Sequence, residues 1–532
     1  MVKGLQRQSD RVISRDDLQK QSGRVISRDD LQKDIQIKGS ITVFMTLTLV
    51  LVLSFLFSLL ELARVSGIQS QTAMNADVSL TSMFGNYNAE LWKNYHLLFL
   101  DGAWQKEDLS IRAFEGRMLA VMENNVKDTH SLYGFSPTNV EILAYSLATD
   151  EGGSVFRRQV IAQIQKEVAI SAAESLLHVN DEEKQMQEES KGVENIWKEA
   201  LDGETSAKEA KSKKTSEEQQ AEKESEKAEA NTEETVENPM EYVKGLKTSS
   251  LLSMVLPDAS KLSAKGIPLS DSLPKRSRHV GTMEATKGGS ITDRGWIQAY
   301  INAYFSYCGA QEDKGAKTKA LDYEIEYLIG GRGSDRENLE AVVGELLLLR
   351  EGANFLTLMK DTEKKTIALS IATAAVGFTG VPPLIKAVQM GILLAWAYVE
   401  SIMDIRALLA GKKIPIIKTR EEWSSDFTNC RKSVESKNGA KEDGRGLSYE
   451  NYLQMLLLPV SETDLSYRCM DLMEKNLRLT EGNENLRMDC MIQHIKAGFQ
   501  YEGKPLFWNL IFVKHDSLKT FFFRQEKELS YG

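Results

Sequence analysis

The chain is poor in the residues that metal and nucleophile chemistry needs. It has four Cys and six His in 532 residues. No two cysteines stand as C-x-x-C. His96, His130, His178, His279, His494 and His515 are scattered, with no H-E-x-x-H or other ligand spacing, so no common zinc site is written in the sequence. There is no G-x-S-x-G elbow. The glycine-rich turn at Gly330–Gly333 lacks both G-x-G-x-x-G and the Walker Lys, and Ser334-x-x-Glu337 explains it as a capping box at a helix start. A net charge of −10 argues against nucleic acid as a partner of the whole chain. Two acidic pairs remain. Glu324 and Glu326 belong with Tyr323, Ile325 and Tyr327 to an amphipathic strand or helix. Asp150 and Glu151 near Ser154 read as loop and helix-start acids. The expectation is therefore no catalytic residue, no metal, no cofactor and no small-molecule substrate: a protein that is not an enzyme.

Charge is also missing from Ser40–Leu60, and there its absence is informative. SITVFMTLTLVLVLSFLFSLL has no charged residue, Gly or Pro in twenty-one positions, and fourteen of them are Leu, Val, Ile or Phe. As a helix it is about 31 Å long, the thickness of a bilayer's hydrocarbon core. Residues 1–39 carry nine Lys or Arg, whereas Arg64 is alone on the far side until Lys93. The positive-inside rule then keeps the N-terminus cytoplasmic and sends the bulk of the chain outside. The run exceeds the 7–15 residues of a signal-peptide core and no A-x-A-like site follows it, so an uncleaved single-pass anchor is expected. Beyond it Ala73, Ala76, Leu80, Met83, Tyr87 and Leu91 recur at spacings of three and four, one face of an amphipathic helix. Glu61 and Arg64 can pair at the lipid boundary, worth a few tenths of a kcal/mol.

The rest of the chain divides by composition. The basic tail, 1–39, repeats RVISRDDLQK at Arg11–Lys20 and Arg24–Lys33. Two copies are too few to stack as a solenoid. After the transmembrane helix at 40–60 comes an extracytoplasmic N-terminal region, 61–180, with a strand at Val140–Leu147. A charged linker follows at 181–237; its part from 203 holds eleven Glu and six Lys and nothing aromatic. The C-terminal region, 238–532, contains an expected helical hairpin at 366–399 and a strand pair at Leu486–Gln493 and Ala497–Phe507. Thr366–Ile385 is also twenty residues without charge. A second span there is the alternative to a buried hairpin broken at Pro382-Pro383. Outside the cytosol Cys308, Cys430, Cys469 and Cys490 have two options, disulfides in one of three connectivities or free buried thiols. The fold class expected is mainly α with small antiparallel β elements, an α+β chain led by a transmembrane helix that continues into a long pilin-like amphipathic helix.

KGSITVFMTLTLVLVLSFLFSLLELARVSG and AMNADVSLTSMFGNYNAELWKNYHLLFLDG resemble the N-terminus of TadE/TadG-like proteins of tight-adherence (Flp-type) pilus systems. They resemble still more an uncharacterised family of Gram-positive surface proteins with the same anchor. NPMEYVKGLKTSSLLSMVLPD, LDYEIEYLIGG, ILLAWAYVESIMDIRALLAGKKIPIIK and YRCMDLMEKNLR are similar to segments of that family, so the likeness covers most of 38–500. The resemblance implies a membrane-anchored structural or accessory component of a pilus or type II-like secretion apparatus. Its partners would be the lipid bilayer and other apparatus proteins. It also makes Gly39 and Ser40 a candidate prepilin-type processing point, the alternative being a plain Gly at the start of a span. Phe44 stands where pilins that polymerise carry Glu, which speaks against a place in a filament shaft. A surface adhesin or sensor sharing only the anchor, and an extracytoplasmic hydrolase, are the competing readings.

Overall fold

Apolar residues spaced three and four apart make most of the chain helical. The computed structural model describes residues 28–104, 106, 108–127, 133–167, 191–193, 195–206, 239–283, 291–310, 318–427, 429–436, 438–441, 446–508 and 520–531. In chain order the elements are α1 (Arg28–Phe84), α2 (Ala89–Tyr95), β1 (Leu100–Asp101), α3 (Ile111–Lys127), β2 (Phe135–Leu147) and α4 (Asp150–Glu167). After unlabelled helical residues at 191–193 and 195–206 come α5 (Pro239–Lys247), α6 (Leu251–Val255), α7 (Ile291–Tyr304), α8 (Glu324–Gly330) and α9 (Asp335–Lys360). The chain ends with α10 (Thr362–Val376), α11 (Pro382–Leu409), α12 (Cys430–Glu435), α13 (Tyr449–Leu457), α14 (Glu462–Leu477), β3 (Met491–Gly503) and β4 (Phe521–Ser530). Strand order is β1-β3-β2, with β4 also on β3, and Leu100 pairs antiparallel with Ile492. The fold is mainly α with a small antiparallel sheet, as the periodicities predict. Among the described residues only α1, from Ile41 to Phe84, is long and apolar enough to cross a membrane.

Two compact units interleave in sequence. The first comprises Met1–Ser79, Leu119–Asn139 and Phe499–Gln525. In it α1 packs its Ile68–Ala76 face, Asn75 donates to the Met122 carbonyl at 3.4 Å, and the Tyr501 hydroxyl donates to Asn75 at 2.8 Å.

The second unit comprises Leu80–Met118, Val140–Gly498 and Glu526–Gly532. Its centre is the pair α9 and α11. Ser334 caps α9 by accepting from the Glu337 amide, and Pro382-Pro383 opens α11. From Gly391 to Leu408 every residue of α11 is buried, as expected of a helix apolar all round. Gly391 is obligatory there, since a Cβ would lie 2.5 Å from Ala200 Cβ. A close approach also explains Gly153, whose Cβ would lie 2.7 Å from Ser466 Cβ, so α4 meets α14 nearly backbone to side chain.

Two expectations change. The predicted strand pair at 486–507 is the single strand β3, because no Gly, Pro, Asn or Asp interrupts Met491–Ala497 to make a turn; it pairs with β1, β2 and β4. Of the strand and the helix left open for Glu324 and Glu326, the helix is found. Within the expected linker, residues 191–193 and 195–206 are helical and put Val193, Trp197 and Ala200 into the core of the second unit; 181–190, 194 and 207–237 lie outside the described residues. A helical stripe at spacings of three and four was hidden there among charges. Over 366–399 the chain forms the end of α10, a short turn and the first half of α11.

Candidate functional site: the base of the anchor helix

Along α1 the environment changes within one turn. From Ile41 to Leu60 the apolar side chains other than half-buried Phe57 stand open, Leu51 by 68% and Phe44 by 66%. The hydroxyls in this stretch bond back to their own helix: Thr46 to the Val43 carbonyl, Thr48 to Phe44 and Ser54 to Val50. No side-chain polar group in these three needs water, which suits a hydrocarbon surround. At Glu61 the exposure falls to 0% and at Arg64 to 5%.

Glu61 and Arg64 pair at 2.9 Å as the spacing predicts, but they are more than a surface pair. Glu61 accepts from the Phe507 amide at 2.7 Å and from the Leu506 amide at 3.2 Å. Arg64 donates to the Lys504 carbonyl at 3.0 Å and to the Tyr133 carbonyl at 2.5 Å. Phe507 also stacks on Phe57, with centroids 6.2 Å apart. Removing one partner of a buried, fully bonded pair costs about 3–5 kcal/mol, roughly ten times the value expected from the i,i+3 spacing alone. The sequence could not reveal this, because Tyr133 and Lys504 lie far away along the chain. The node clamps the chain at 504–507 to the point where α1 stops being apolar, and so fixes α1 in its unit.

The other singled-out residues have ordinary roles. Gly39 and Ser40 lie inside the continuous α1. Asp150 accepts from the Leu147 amide at 2.7 Å and the Gly281 amide at 2.9 Å, closing a turn. In the Gly330–Gly333 turn, Asn338 accepts from the Arg332 amide at 2.7 Å and donates to the Arg332 carbonyl, and the Gly331 amide bonds back to Tyr327. All four cysteines are free, Cys308 half-buried and the others buried, which is the second of the two arrangements the sequence allowed. Burial pushes the Cys308 thiol up to about 12 and the Cys490 thiol likewise to about 12, so neither supplies a thiolate near neutrality.

Glu324 and Glu326 are both buried in the second unit. Glu324 accepts from Ser306 and Asn476 and pairs with Lys319 at 3.3 Å. Glu326 accepts from the Cys308 amide and the Tyr449 hydroxyl, each at 2.9 Å. Burial raises Glu326 to about 7, against the lowering effect of those bonds. Cys308 and Tyr449, with Tyr307, Ser448 and Leu409, line a cavity of about 390 Å³. Among the described residues no group of three or more His, Cys, Asp or Glu is set to hold a metal.

Sequence reasoning missed one further cluster. Arg350 and Asn354 on α9 face Glu400, Ser401 and Asp404 on α11. Arg350 bonds Asp404 at 3.0 Å, the carbonyls of Pro415 and Ile416, and the Tyr452 hydroxyl; Lys418 pairs with both Glu400 and Asp404. Burial pushes the Asp404 carboxyl up, but Lys418 and Arg350 beside it pull it below the usual carboxylate range. Two cations and two anions balance in a dry core. The signal was polar residues four apart inside otherwise apolar helices.

A family model described as a family of unknown function (DUF5702) matches residues 229–503, just over half of the 532-residue chain. No curated protein matches, and no solved structure matches.

Proposed function

We propose, from the premise that the chain belongs to that family of unknown function (DUF5702), that it is a membrane-anchored structural or accessory component of a Tad/Flp-type pilus or type II-like secretion apparatus. Its N-terminus is cytoplasmic and its bulk extracytoplasmic. The observation that carries the reading is the join in α1: apolar and open through Leu60, then locked into its unit at Glu61 and Arg64. A helix held in that way places a folded unit at a fixed point on the membrane. The likeness of the anchor to TadE/TadG-like proteins supports the apparatus, and the basic tail before it supports the orientation. Phe44 in place of an acidic residue favours an accessory over a shaft subunit. The partners are lipid and other membrane proteins of the apparatus, met through the open face of α1.

A photo-crosslinking amino acid at Leu51 in living cells tests this. The expected adducts, identified by mass spectrometry, are pilin-like or secretion-apparatus membrane proteins. Adducts with lipid alone would contradict it and favour an adhesin or sensor that shares only the anchor.

A further inference from the structure

The turn between α10 and α11 is another place where apolar surface stands open. Thr366 to Ile385 carries no charge. Leu369 is 43% exposed, Phe378 40% and Val381 46%, and Pro382 and Pro383 are exposed beside them. A hairpin tip in water is ordinarily polar. At 15 residues α10 is roughly 22 Å long, too short to cross a hydrocarbon core of about 30 Å.

The hydroxyls of this tip and several of its amides bond within the tip, as the hydroxyls do in the apolar part of α1. Thr366 bonds to the Thr362 carbonyl, Ser370 to Ile367, Thr373 to Leu369 and Thr379 to Val376, at 2.7–2.9 Å. In the turn the Gly377 amide bonds to Thr373, Gly380 to Gly377 and Val381 to the Thr379 hydroxyl. The first turn of a helix normally leaves N–H groups orphaned. Pro382 and Pro383 have none to leave, and Leu384 and Ile385 both donate to Val381. Behind the tip stands a basic collar. Lys360, Lys365 and Lys386 flank the uncharged stretch, while Lys364 lies over the Phe427 ring at 3.9 Å; of the acids there Glu363 is paired with Arg420 and Asp361 caps α10. Lys386 lies one turn along α11 from Pro382, so only the tip can be immersed before a charge reaches the headgroups.

We propose that the α10–α11 tip is a second, shallow lipid contact. It would insert Phe378, Val381, Pro382 and Leu369 into the interface of an anionic membrane, about 5–10 Å deep, with the lysine collar on the phosphates. This rests on the reading of α1 as a membrane anchor, which tethers the tip near lipid and raises its effective concentration there. The contact would fix the second unit against the bilayer, where α1 alone fixes only the first.

The test uses the full chain in phosphatidylcholine vesicles with and without phosphatidylglycerol, with doxyl-labelled lipid as quencher. An environment-sensitive fluorophore is placed on Phe378→Cys, on Phe55→Cys in the anchor and on Val280→Cys, 73% exposed on the second unit. The parent chain, with its four natural thiols, gives the background. The inference expects quenching and a blue shift at 378 comparable with those at 55, none at 280, and weaker quenching at 378 when phosphatidylglycerol is omitted or Lys360, Lys365 and Lys386 become Gln. Quenching at 55 without quenching at 378 would overturn the tip contact and leave the anchor standing. No quenching at 55 would remove the anchor reading and this inference with it. Protection of 378 by cross-linking between copies, in place of quenching, would also overturn it.

Discussion

Arg350→Met is the sharpest probe of the second unit's core. The guanidinium is fully buried and bonds Asp404, two carbonyls, the Tyr452 hydroxyl and Asn354. Met fills much of the volume but donates nothing. The Pro415 and Ile416 carbonyls then lose that donor, and Asp404 keeps only Lys418 and Asn354. Breaking a buried pair in this way costs about 3–5 kcal/mol. At about 2–4 °C per kcal/mol for a domain of some 150–250 residues, the melting temperature should fall by roughly 6–20 °C, and by less for a larger cooperative unit. Calorimetry of the detergent-solubilised full chain measures it. Arg350→Met with Asp404→Leu should recover part of the loss, because the orphaned anion goes too. Arg420→Ala, which removes an exposed pair with Glu363, should leave the transition where it was. An Arg350→Met chain that melts with the parent would refute the claim that this network holds α9 to α11.

Glu61→Ala should free the backbone at 506–507, so hydrogen exchange at the Leu506 and Phe507 amides should quicken by at least tenfold, about 1.4 kcal/mol of lost protection, while β3 amides stay slow. Gly391→Val should destabilise the second unit by about 1–3 kcal/mol or more through collision with Ala200 and Met240, read by calorimetry. Glu326 retains its proton in the folded chain to about 7, whereas its ordinary value is 4.5. The folded state thus binds more protons between those values, and stability should fall as pH rises from about 4.5 to about 7. Glu326→Gln should flatten that slope and gain most over the parent above pH 7; a slope equal to the parent's would show that Glu326 does not titrate in this window.

Much of the helical skeleton was legible because periodicity is local. Val140–Leu147, Tyr449–Leu458 and Asp464–Leu479 are found within a few residues of the periodic runs, and the span at Ser40–Leu60 announces itself by missing charge. What pairs across the chain was not legible. Glu61 and Arg64 read as a surface pair because nothing local says that Tyr133 and Lys504 close over them. Trp197 vanished into a charged stretch because composition averages out a stripe of three apolar residues. Glu324 and Glu326 fitted a strand or a helix equally by spacing; the Gly331 C-cap ends a short helix in which both are buried.

The central claim is that α1 holds the folded chain on the outer face of a membrane. Val280→Cys, on the open surface of the second unit, tests it with an impermeant maleimide applied to intact cells, corrected for the parent's natural thiols. The account predicts the same labelling before and after the membrane is opened. Labelling that appears only after the membrane is opened would place the bulk of the chain in the cytosol and contradict it.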